Sequence, residues 1–104
     1  MEIQIQVTAP DQAIAQKIAT HLVEHRLAAC VQILGPISST YWWEGKLESS
    51  EEYLLLVKST AARYKALEKA VVDLHPYEVP ELIGMEIKRG LPAYLNWINE
   101  ETGG

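Results

Sequence analysis

The side chains able to do chemistry crowd into one short run, His75-Pro76-Tyr77-Glu78-Val79-Pro80-Glu81. It puts an imidazole, a phenol and two carboxylates between two prolines. The prolines fix φ at Pro76 and Pro80 and bias His75 and Val79 toward extended backbone. Such a loop is stiff and holds its polar groups in set directions. The imidazole could shuttle a proton or ligate a metal. The phenol could donate a hydrogen bond to a ligand. Glu78 and Glu81 are three apart on extended chain, so they need not converge. The plainer reading is a helix stop: a histidine favours the negative end of a helix dipole, and the next proline ends the helix.

Other reactive groups are scattered. Cys30 sits between Ala29 and Val31 and reads most simply as a structural thiol. Val31 and Ile33 carry the more apolar parity of that segment, which turns Cys30 to the opposite face. A Cys, a His and a Glu from separate elements could make a three-ligand site, and thiolate softness favours copper or zinc there. Lys58, Ser59 and Thr60 lead into a predicted helix, where backbone N–H groups and a lysine could hold a small anion. His21 and His25 have a spacing that can bind metal, but the carboxylate beside them is Glu24 alone, and the pair reads as a solvated helix edge. No C-x-x-C, phosphate-binding loop, dinucleotide fingerprint or Ser-His-Asp spacing is present. An enzyme using Cys30 or His75, with Glu78 as partner, is an alternative without a recognisable nucleophile–base pair.

Positioning these groups falls to an alternating series of elements. Ile3, Ile5 and Val7 alternate with polar residues, a strand with one apolar face. Asp11 is a good N-cap for a helix over Gln12 to Leu27, with Arg26 near its C-terminal end. Ala28 to Trp43 reads as a strand interrupted at Gly35-Pro36, and Glu44-Gly45-Lys46 as a turn. Glu52 to Lys58 is nearly all apolar, which predicts a central strand covered on both faces. Ser59 and Thr60 can cap a helix running to about Leu74. Leu82 to Ile87 is a fourth strand, and Ala93 to Asn99 a short last helix. The order predicts one α+β domain over residues 1–104, a ferredoxin-like β-α-β-β-α-β sandwich with a short C-terminal helix. Both main helices cover one face, and Gln4 and Gln6 look out from the other.

The hairpin between strands two and three is too long for a compact domain. Each arm of about a dozen residues reaches ~40 Å when extended. It must project past the sheet, carrying Tyr41, Trp42 and Trp43. Neighbouring residues on a strand point to opposite faces, so one core cannot take both Trp rings. A projecting aromatic ribbon with free edges predicts self-assembly.

The 104 residues carry 9 basic and 14 acidic side chains, a net charge of −5. No Lys/Arg stripe is available to neutralise phosphates, which argues against nucleic acid. No apolar run is long enough to span a bilayer and no polybasic patch is present, which argues against a membrane. The N-terminus lacks a basic n-region. A single cysteine forms no internal disulfide, and the expected location is the cytoplasm.

Five stretches, taken in order, resemble the CutA family, named for divalent-cation tolerance. They are Thr8-Ala9-Pro10-Asp11, Arg26-Leu27-Ala28-Ala29-Cys30-Val31, Tyr41-Trp42-Trp43-Glu44-Gly45-Lys46, the His75–Glu81 run, and Tyr94-Leu95-Asn96-Trp97-Ile98. The resemblance covers essentially the whole chain. It implies a ferredoxin-like subunit in a homotrimer formed through the long hairpin, with Tyr41, Trp42 and Trp43 at the interface. It also implies weak association with copper or another divalent cation, and a cytoplasmic location. Such an assembly is similar to the PII signalling proteins, which bind small ligands in clefts between subunits. On that similarity the candidate site residues are Cys30, His75 and Glu78 for a metal, and Lys58 and Tyr77 for a ligand cleft. Some relatives carry a Cys just before T-A-P-D and a second His before H-P-Y, both tied to copper binding. Here those positions hold Val7 and Leu74.

Overall fold

A computed structural model describes residues 1–103. The chain runs β1 (Glu2–Ala9), α1 (Gln12–Glu24), β2 (Cys30–Trp43), β3 (Lys46–Thr60), a 3-10 turn (Ala61–Arg63), α2 (Tyr64–Leu74), β4 (Leu82–Glu86) and α3 (Pro92–Glu101). The four strands form one antiparallel sheet in the order β2-β3-β1-β4. The fold is α+β with the expected β-α-β-β-α-β connectivity.

Alternation in β1 does what its pattern predicts. Ile3, Ile5 and Val7 are buried with Leu55 and Val57 of β3, under Ala15, Ile18, Ala19 and Leu22 of α1 and Leu67 and Val71 of α2. Asp11 caps α1, its side chain accepting from the Ile14 N–H at 2.8 Å. The helix stops at Glu24, three residues short of the predicted end. The N–H groups of Leu27 and Ala28 both turn back to the Leu22 carbonyl, and Arg26 takes a φ of 58° to allow it. Arg26 then reaches across to the Glu101 carboxylate at 2.7 Å. Leu27 packs on the core instead of extending the helix.

The start of α2 also differs from expectation. Ser59 does not cap it: its hydroxyl donates to the Leu27 carbonyl at 2.6 Å, and the Thr60 side chain makes no capping bond. A 3-10 turn leads into the helix in their place.

β3 is central, between β2 and β1, but one chain covers only one of its faces. Leu55 and Val57 point into the core, while Leu54 and Leu56, of the other parity, stay half-exposed. That other face receives α3 at one end alone. Ile98 is fully buried there, and Asn99 bonds the Glu2 carboxylate. Gln4 and Gln6 are half-buried rather than freely exposed.

The β2–β3 ribbon pairs from Cys30↔Lys58 out to Trp43↔Lys46, with a register shift between Leu34 and Ile37. Gly35 sits in that irregularity because Tyr53 packs against its backbone; a Cβ there would lie 2.5 Å from the ring. The molecule measures 45 × 26 × 21 Å. Its radius of gyration of 14.2 Å exceeds the roughly 13 Å of a compact domain this long. The excess comes from the projecting ribbon.

Candidate functional site

The candidate residues form two groups at opposite ends of the open sheet face. The first surrounds the His75–Glu81 loop. His75 is only 7% exposed. Its Nε2 lies 2.7 Å from the Thr8 carbonyl, and its Nδ1 lies 3.1 Å from the Tyr77 N–H. A carbonyl only accepts, so Nε2 carries the hydrogen and Nδ1 keeps the lone pair. Both nitrogens are thus spent on tying the loop to the end of β1. Ligating a metal through His75 requires opening one of those bonds.

Tyr77 leans on the His75 ring, centroids 4.8 Å apart. Its phenol is pushed above the ordinary tyrosine value, first by burial and then by the negative charges of Glu52, Tyr41 and Asp11. Glu78 points to solvent from the same loop.

Glu52 is a candidate that the sequence reading missed. It is 8% exposed, at the base of the projecting ribbon opposite Ile37. The ion pairs among the described residues are Arg26–Glu101 and Lys69–Asp73, and no described side chain donates to Glu52. Every fully buried polar side-chain atom among the described residues has a partner. The Glu52 oxygens therefore keep a narrow opening to solvent. The available signal was parity: Glu52 shares a face with Leu54 and Leu56, where a charge is out of place.

The second group lies at the α3 end. Cys30 is a half-buried free thiol, opposite Lys58 in the ladder. Lys58 Nζ donates to Gln32 Oε1 at 2.8 Å across the same face. Lys58 is thus on the sheet, not at a helix N-terminus. The Tyr94 phenol from α3 is raised, mainly by burial and also by the negative charge of Cys30.

These groups do not meet within a chain. His75 is tethered to Thr8, which pairs Leu54, whereas Cys30 pairs Lys58. Four residues along a strand is about 13 Å. Among the described residues no three His, Cys, Asp or Glu side chains converge as a metal site. The donor set Cys30, His75 and Glu78 therefore does not fit a cation inside one copy, nor is Cys30 beside His75 as a nucleophile–base pair requires. Val7 and Leu74 are hydrocarbon packed in or against the core and offer no donor. An open groove between α1 and β2, lined by Gln12, Gln16, Val31, Ile33 and Tyr53, holds none of the candidates.

The hairpin aromatics stand away from the core. Trp42 is 74% and Trp43 61% exposed, on opposite faces of the ribbon, with exposed Leu47 opposite Trp42. The Tyr41 hydroxyl hydrogen-bonds Ser50 Oγ at 3.1 Å.

Comparison with known proteins agrees with this geometry over the whole chain. The family model described as CutA1 divalent ion tolerance protein matches residues 3–101. A divalent-cation tolerance protein CutA of Thermus thermophilus is 44% identical over 103 residues, 99% of this chain and 100% of that relative. A CutA homolog of Xenopus laevis is 45% identical over 94 residues, and mouse CutA 42% over 96; the chain spans 62% and 54% of their lengths. The solved Thermus thermophilus protein superposes with a TM-score of 0.97 over 99% of this chain and 100% of its own. The Archaeoglobus fulgidus protein, described as periplasmic, gives 0.95 at 39% identity, covering 98% of this chain and 99% of its own. Matched in sequence and in fold over nearly its full length, the chain belongs to the CutA1 divalent ion tolerance family.

Proposed function

We propose that the chain acts as a homotrimeric divalent-cation tolerance protein that takes copper or another divalent cation, or a small ligand, at clefts between subunits. One observation carries this reading: the candidate donors lie on or beside the sheet face that α1 and α2 leave open, in two groups that one copy does not assemble. A second copy laid on that face covers half-exposed Leu54 and Leu56 and, on the same side of the ribbon, Tyr41 and Trp43. It also brings one copy's Cys30 end toward another copy's Glu52 end. Cys30, Glu52 and Glu78 are then the donors, the thiolate favouring copper or zinc over harder cations. Tyr77 borders the cleft. His75 orients it by holding the loop on Thr8, and ligates only if that tether opens.

A second reading rests on Lys58. Its ammonium group lies on the same face, held by Gln32. A small anion in the cleft would find its counter-charge there, as in a ligand-sensing trimer. For location we propose the cytoplasm, on the single unpaired cysteine; cell fractionation tests it, and recovery in the periplasmic fraction contradicts it.

Calorimetric titration with Cu²⁺ tests the cation site, using the wild type, Cys30→Ala, Glu52→Gln and His75→Ala. Loss of Cys30 or Glu52 should weaken uptake roughly tenfold, a 1.4 kcal/mol change. Absence of heat in the wild type contradicts cation binding. Heats in the Cys30 and Glu52 variants equal to the wild type contradict the assigned donors.

A further inference from the structure

A different pair of imidazoles lies at the C-terminal end of α1, away from the open face: His21 in its last turn and His25 as its C-cap. His21 and His25 stand one turn apart, their rings stacked with centroids 4.1 Å apart and planes 25° apart. His25 Nδ1 is 2.9 Å from the His21 backbone carbonyl. That oxygen can only accept, so Nδ1 bears the hydrogen and the neutral ring keeps its lone pair on Nε2. Metal-ligating histidines use this arrangement, one ring N–H tied to a carbonyl and the other nitrogen free. No described residue hydrogen-bonds the His21 ring. Both side chains reach solvent, His25 exposed and His21 half-exposed, so an ion has access to the pair. Two histidines at i, i+4 on one helix face are a known zinc-binding spacing.

The surrounding charges are mixed. Glu24 and Lys17 line the same shallow depression as His21. Lys17 opposes a cation and Glu24 offsets it, while Arg26 is drawn off by Glu101. α1 packs on the sheet through Ala15, Ile18, Ala19 and Leu22, so the pair lies on the other side of the sheet from the open face.

We propose that His21 and His25 form a two-imidazole chelate for Cu²⁺, Zn²⁺ or Ni²⁺, with water filling the remaining positions. It is separate from the inter-subunit cleft and repeats once per subunit. Imidazole selects these ions over Mg²⁺ and Ca²⁺, which take oxygen ligands. An exposed chelate exchanges its ion readily, which suits buffering of cations rather than catalysis.

The test titrates Cu²⁺ into the full-length wild type, His21→Ala, His25→Ala and Cys30→Ala, reading heat and the nitrogen hyperfine pattern in electron paramagnetic resonance. Alanine is the best helix former, so His21→Ala does not threaten α1, and His25 lies beyond the last helical residue. One equivalent per chain with two-nitrogen coordination should be seen in Cys30→Ala, and the same two-nitrogen signal, beside uptake at the inter-subunit cleft, in the wild type. Either histidine variant should weaken it roughly tenfold or more. Unchanged affinity and stoichiometry in both histidine variants overturns the proposal. So does half an equivalent per chain with a doubled particle mass, which means the ion bridges copies. Because Cys30→Ala damages only the inter-subunit site, failure of one site is distinguishable from failure of the other.

Discussion

His75 shows how one side chain can carry a family signature without being free for chemistry. Its two ring nitrogens are bonded, to Thr8 and to Tyr77, and the residue is buried. His75→Ala removes both bonds and leaves the Thr8 carbonyl without its partner. It should lower the unfolding free energy by about 2–3 kcal/mol, read from urea denaturation at fixed protein concentration; an unchanged midpoint refutes the tether. Tyr77 offers a pH test. Its folded pKa is raised by burial and by the charges of Glu52, Tyr41 and Asp11. Below about 10 the phenol is protonated in both states and its contribution is fully present. Above that value the unfolded chain releases the proton first, so the contribution is lost as pH rises through the raised folded value. Absorbance at 295 nm should show a late-ionising tyrosine that vanishes in Tyr77→Phe. The loop was legible as a stiff, polar connection because proline chemistry is local. The pairing of His75 with Thr8, 67 residues away, was not. Nor was the burial of Glu52, which looks like an ordinary polar strand start.

Elements were legible where their signals are short-range. Alternation located β1, Asp11 located the start of α1, and Gly45 located the hairpin turn. The end of α1 was missed because Leu27 continues the helical stripe in sequence yet packs better after a left-handed step at Arg26. The cap of α2 was missed because Ser59 is drawn off by a tertiary acceptor, the Leu27 carbonyl. At the hairpin tip Glu44 and Gly45 both have positive φ, 50° and 77°, which matches the two-residue turn whose twist suits paired strands. A Cβ on Gly45 meets nothing within 4 Å, so Gly45→Ala isolates backbone strain. It should cost about 1 kcal/mol in thermal or urea unfolding. Glu44→Asn, tolerant of that conformation, should gain roughly 0.5 kcal/mol.

At the scale of the whole molecule, a single copy leaves one sheet face and its ribbon largely uncovered. Its sheet has one face packed under α1 and α2 and one face covered by α3 only at an end. Its ribbon holds two tryptophans away from any core of its own. The sequence indicated this through hairpin length and aromatic parity, but could not show which candidate donors would remain apart in a single copy. Replacing Trp42 and Trp43 together with serine should shift the assembly toward single chains while leaving the core, which neither residue joins, folded by circular dichroism. The most direct measurement is sedimentation velocity of the wild-type chain at micromolar concentration. One boundary at three times the chain mass is the expected result. A single boundary at the mass of one chain would contradict a site completed between subunits.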